Sequence, residues 1–144
     1  MSKKMSTLSI TLILLVCCKR ESPIDRINEI KTLPFKGEAV DDEVYNQIRN
    51  MGDSALPLLI DKISDTTRMR DPRQSPIYEN IRVGDIAYFI FIEISNKNFD
   101  FIFSEDLKID YKKEGVYAYF RFVQNYQNRI KLKKKLREWY NSNY

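Results

Sequence analysis

The sequence predicts an all-α fold, a small helical bundle with long loops, and three observations carry that expectation. Beyond residue 22, apolar side chains recur at helical spacing of three and four rather than in alternation. Residues that cap and charge helix starts stand just ahead of these runs, as Ser22 with Pro23 and Asp41, Asp42 and Glu43 do. The most apolar stretch after the first eighteen residues, Val83 to Ser95, has neither hairpin chemistry nor partner strands around it.

Taken in order, Ile24, Ile27 and Ile30 follow Ser22 and Pro23 and predict a short helix over 23–32. From Ala39 to Met51, Val40, Val44, Ile48 and Met51 mark an amphipathic helix with its acids in the first turn, where the helix dipole favours them. Gly52 ends it, and Asp53 or Ser54 is placed to cap a second helix whose buried stripe is Ala55, Leu56, Leu59, Ile60 and Ile63. Residues 64–82 mix charge with Pro72 and Pro76 and show little periodicity, so a long exposed connection is expected. Val83, Ile86, Ala87, Ile90 and Ile94 share one helical face and predict a buried central helix, although the aromatic and β-branched run from Tyr88 to Ile92 also suits a strand. Residues 96–110, with Phe99, Phe101, Ile102 and Phe103, read as a loop lying across the core. A helix over 115–124 carries Tyr119, Phe120 and Val123. The last, over 129–140 and capped by Asn125 or Asn128, buries Leu132, Leu136 and Trp139 and exposes its lysines.

The start of the chain has a different character. Lys3 and Lys4 precede an uncharged run from Met5 to Val16, followed by Cys17, Cys18, Lys19 and Arg20. A spanning helix needs about 20 apolar residues, so this shorter run reads as a signal peptide. Leu15, Val16, Cys17 and Cys18 resemble a lipobox, the bacterial lipoprotein signal, with Cys17 standing where Gly, Ala or Ser is usual. The resemblance implies lipid on Cys18 and a bacterial envelope location facing the periplasm. An ordinary secretory signal and an uncleaved anchor are the other readings of these residues. The expected organisation is a signal peptide over 1–17, a lipidated N-terminus with tether and short helix over 18–37, and a helical domain over 38–144. With Cys17 removed and Cys18 acylated, the mature chain would hold no thiol and no disulfide.

Charge narrows the function. Without Lys3 and Lys4 the net charge falls from +4 to +2, and the segment from Arg129 to Glu138 alone carries +5. The chain has no histidine, which removes His-based acid–base catalysis, Ser-His-Asp triads and His-held zinc or haem from what it does alone. Its four glycines form no phosphate-cradling loop. Asp41, Asp42 and Glu43 point about 100° apart on a helix and cannot converge on one cation. No enzyme, cofactor or metal is therefore expected, and an exported chain is expected to meet no nucleic acid.

Gly52, Ala55, Leu56, Pro57, Leu59, Ile60, Ile63 and Asp65, followed by Val83, Gly84, Asp85, Ile86, Ala87 and Ile94, resemble the paired helices of a single HEAT-like repeat. That resemblance implies a helical protein-binding scaffold. The leading expectation is accordingly a non-enzymatic envelope lipoprotein that binds another protein, in its sharper form an immunity protein or inhibitor of a cell-wall-degrading toxin. Arg70, Arg73 and Tyr78 on the long connection are the candidate anchors. The alternative is a structural or assembly lipoprotein that meets a membrane or acidic partner through Lys131, Lys133, Lys134 and Lys135.

Overall fold

The computed structural model describes residues 21–34, 38–74, 77–97 and 103–144. The expected signal peptide and Cys18 lie outside the described residues, as do Phe99, Phe101 and Ile102. The described residues form a small all-α domain, in which the one β-type contact is an isolated bridge between Arg68 and Arg82.

The first element is a 3-10 helix, Pro23–Glu29, where the sequence predicts a longer helix. The spacing explains the difference. Ile24, Ile27 and Ile30 are three apart, and at three residues per turn they stack on one face, all at most 3% exposed. With Leu33 they enter the common core, so the segment expected as a tether contributes to the domain itself.

Helix α1 is Glu43–Asn50, shorter than expected because Asp42 is its cap rather than part of its first turn. One oxygen of Asp42 accepts the Tyr45 N–H at 3.0 Å; the other accepts the N–H groups of Lys31 and Thr32 at 2.8 and 3.2 Å. A single buried carboxylate thus ties the exit of the 3-10 helix to the start of α1. Gly52, at a φ of +55°, breaks α1 and opens a second 3-10 turn, Gly52–Ala55, that runs directly into α2, Leu56–Lys62. Neither Asp53 nor Ser54 caps α2: the turn already supplies its first carbonyls, and the Ser54 hydroxyl instead donates to the Met51 carbonyl at 2.7 Å.

Helix α3, Val83–Ser95, is the buried central helix that its pattern predicts. Its start meets the end of α2 closely enough to require glycine: a Cβ on Gly84 would lie 2.3 Å from the Ile63 carbonyl oxygen. Residues 105–110, expected within a loop, belong to α4, Glu105–Glu114. Ser104 caps α4 by accepting the Leu107 N–H, and acids in its first turn and lysines in its last suit the dipole. Only Leu107 of α4 is buried, so the apolar pattern that reveals the other helices is missing here. Helix α5, Val116–Val123, and α6, Tyr126–Asn143, follow, with Asn125 as the cap of α6; that cap starts α6 before the expected residue 129.

The 64–82 connection is exposed at Thr66, Thr67, Arg68, Arg70, Ile77, Glu79 and Asn80, as expected, but it is also fastened to the domain. Pro72 and Ile81 are buried, the Pro72 carbonyl accepts the Leu33 N–H at 3.0 Å, and Met69 N–H to Ile81 O and Val83 N–H to Thr67 O close its base. Asp71 organises its middle by accepting the N–H groups of Arg73 and Tyr78 at 3.0 and 2.8 Å. A side-chain acceptor gives this segment its order, which periodicity does not register.

Candidate functional site

Asp85 sits at the third position of α3, and its side chain turns back to accept the Arg82 N–H at 2.9 Å. It is fully buried, so its charge needs a partner within the core. Arg129, on the first turns of α6 and 4% exposed, provides it, with Nη2 donating to Oδ2 at 3.1 Å and Nη1 lying 2.8 Å from Oδ1. The Tyr119 hydroxyl of α5 donates to the same carboxylate at 3.3 Å. Burial first, and then the neighbouring Asp85 carboxylate, push the Tyr119 phenol well above its ordinary value, so it stays a donor. One acid therefore joins α3, α5 and α6. The Arg129 Nη1 is buried and its N–H groups find no acceptor in hydrogen-bond geometry among the described residues, despite the close ion pair.

This pair forms the floor of a cavity of about 340 Å³. Its walls are Tyr78, Phe120, Val123 and Tyr126; Thr66, Asn80, Arg82 and Gln124 bring polar groups to it. Tyr78 stacks on Phe120 with ring centroids 4.1 Å apart and planes within 6°, and its hydroxyl accepts from Gln124 Nε2 at 2.6 Å. Arg73 stands on the other part of this aromatic cluster, 4.7 Å from the Phe120 ring and 5.3 Å from that of Phe89, with its guanidinium on Asp71. Burial disfavours the charged form of Asp71, but the Arg73 side chain and the two backbone N–H groups outweigh it and hold the carboxyl below its ordinary range.

The three candidate anchors on the connection are thus placed differently. Tyr78 lines the cavity, Arg73 is spent on Asp71 and two rings, and Arg70 is exposed beside a separate groove of about 670 Å³ that also holds Arg26, Glu29 and Asp41. The basic segment divides as well. Arg129, Lys133 and Arg137 are four apart and face the domain: Lys133 and Arg137 reach Asp61 of α2 at 3.3 and 2.8 Å, and Arg137 donates to the Pro57 carbonyl at 2.8 Å. Arg129, expected with the exposed basic face, is a core residue. Lys131, Lys134 and Lys135 lie on the outward side of α6, near the exposed Tyr126 and Ile130.

Sequence reasoning missed Asp85, Arg82 and Arg129 as a constellation. The signal was present: Asp85 is the lone acid in the first ten residues of the most apolar segment, and Arg129 is three before Leu132 and seven before Leu136, on the buried stripe. Among the described residues no helix is long and apolar enough to cross a membrane, and no cluster of three or more metal-ligating side chains occurs. No protein-family model, curated protein or solved structure matches the chain.

Proposed function

We propose that the chain is a bacterial envelope lipoprotein, anchored through lipid on Cys18, whose helical domain binds another protein and does no chemistry of its own. The observation that carries the binding reading is the strip where the cavity meets α6: Tyr126 and Ile130, 50% and 38% exposed and one turn apart, flanked by Lys131 and Lys134. Exposed tyrosine and isoleucine beside unburied lysines make a surface suited to an acidic partner with an apolar centre. Helices α2 and α3 pack on one another, and it is the HEAT-like resemblance of their sequences that suggests a scaffold role. In the sharper form of the proposal the partner is a cell-wall-degrading toxin, and the chain is its immunity protein. The 64–82 connection then acts as a wall of the site rather than a plug, since Arg73 and Tyr78 are held within the domain.

The lysines on the outward side of α6 favour a second reading, in which the helix meets anionic lipid or an envelope component in a structural role. Site-specific photo-crosslinking of the full chain in bacterial cells separates the two. A crosslinker at Tyr126 or Ile130 is expected to capture one envelope protein that a crosslinker at Lys31 does not, with the chain leaving the membrane fraction on Cys18→Ala. Capture of lipid alone from α6 supports the structural role, and identical products from all positions overturn the binding surface. Inhibition of a captured wall hydrolase by the purified chain is the further outcome that the immunity form requires.

A further inference from the structure

We propose that the cavity above the Asp85–Arg129 pair is a carboxylate-binding site, taking a monoanionic acid with a planar or apolar body. The inference rests on the protein-binding reading only in so far as a partner's acidic side chain is one source of that carboxylate; a free organic acid is the other.

Three features lead to it. The first is uncompensated charge. Asp85 is the sole acid at the cavity and is matched by Arg129, whereas the Arg82 guanidinium, half-buried at the same wall, has no carboxylate partner among the described residues. The cavity therefore carries one net positive charge, which a carboxylate matches and a dianionic phosphate exceeds. The second is spare donor capacity. Arg129 keeps both terminal nitrogens on Asp85, with Nη1 buried 2.8 Å from Oδ1 though out of hydrogen-bond geometry, which leaves the half-buried Arg82 as the open donor at the cavity. Arginine presents its N–H groups as a planar fork that fits the two oxygens of a carboxylate. The third is the shape of the walls. Tyr78, backed by the buried Phe120 ring, and the exposed Tyr126 offer ring surface to the body of the acid while Arg82 holds its head.

The test uses the purified full chain, with arginine side-chain and backbone NMR signals followed during titration. The probes are phenylacetate, its neutral isostere phenylacetamide, inorganic phosphate, and a blocked Gly-Asp-Gly peptide beside its Asn counterpart. Phenylacetate is expected to shift the signals of Arg82, Arg129 and Tyr126 with half-saturation near about 1 mM, the affinity of a small ligand held by few contacts. The amide should bind at least about tenfold more weakly, and so should the acid to Arg82→Gln, a change that removes no bonded side chain. Lys112→Gln, on the exposed side of α4, should leave the affinity unchanged. Binding by the Asp peptide but not by the Asn peptide assigns the carboxylate to a partner's side chain; binding by phenylacetate alone assigns it to a free acid. Equal binding of acid and amide, tighter binding of phosphate, or no shift with any probe overturns the site. Should Arg82→Gln fail to fold, the acid–amide comparison on the native chain decides alone. Because no partner enters this experiment, its failure leaves the protein-binding reading standing, and failure of the crosslinking leaves this site standing.

Discussion

Replacing Arg129 by Met tests whether the buried pair holds the domain together. Asp85 is fully buried and Arg129 nearly so, at 4% exposed, and their oxygens and nitrogens meet at 2.8 and 3.1 Å. Removing one member of such a pair costs about 3–5 kcal/mol, because the remaining charge is left in the core. Here Asp85 keeps the Arg82 N–H and the Tyr119 hydroxyl, at 2.9 and 3.3 Å, which places the expected loss toward the lower end, about 3 kcal/mol. The double variant Asp85→Leu with Arg129→Met removes both charges together with the cap on α3 and the acceptor of the buried Tyr119 hydroxyl, for a loss of about 2 kcal/mol. The double change is thus expected to be more stable than Arg129→Met alone. Urea unfolding followed by far-UV circular dichroism measures all four corners of the cycle. A loss below about 1 kcal/mol for Arg129→Met, or simple additivity of the two changes, would refute the reasoning.

Three further outcomes follow from other parts of the domain. Gly84→Ala places a methyl 2.3 Å from the Ile63 carbonyl oxygen and 2.9 Å from that of Asp65, both backbone atoms that cannot step aside, so a loss of about 3 kcal/mol is expected in urea unfolding. Tyr78→Ala removes the stack on Phe120 and the acceptor for Gln124; a loss of about 1–2 kcal/mol is expected, with faster amide exchange over residues 66–82 and little change in α3. The acid side of the stability profile should report Asp61 and Asp71. Burial works against ionisation of each, but Arg137 and Lys133 at Asp61, and Arg73 with the Tyr78 N–H at Asp71, hold both carboxyls below the ordinary range. A depressed folded value means stability that is present above the unfolded value of about 4 and is lost as pH falls through the folded one. The urea midpoint is expected to be flat from about pH 7 to 5 and to fall below about pH 4, less steeply in Asp71→Asn.

Much of the architecture is legible in the sequence because it is written in apolar periodicity. Helix α3 is predicted with its bounds intact, since nearly every side chain in its first nine residues is buried and the run is bounded by Arg82 and Asn96. Where order comes from polar groups the sequence is silent. Asp42 serves three N–H groups, two of them ten and eleven residues away, and no local pattern announces that it will leave α1 to do so. Helix α4 is missed because one buried leucine makes no stripe, and because its evidence is a cap and a charge gradient, each worth only about 1 kcal/mol. The order within the exposed 64–82 connection is missed for the same reason, since Asp71 and Tyr78 fasten it with interactions that have no period. The candidate site falls in this blind region, between a polar-ordered connection and two helix starts.

The basic segment shows how that blindness bears on function. Read along the chain, six cations within nine residues form a single patch. Wound into α6, they separate by the helical repeat into an inner row at 129, 133 and 137 that meets Asp85 and Asp61, and an outer set at 131, 134 and 135. Charge reversal across the lysines as a block therefore mixes two effects, because Lys133 anchors α6 to α2 and its loss weakens the domain. Reversal of Lys131 and Lys134 alone leaves the inner row intact, since neither bridges α6 to another helix among the described residues; Lys134 pairs only with Glu138 of its own helix, at 3.8 Å. A change in partner or vesicle binding from that pair of substitutions reads the outer surface, with the urea midpoint as the check that the fold is untouched.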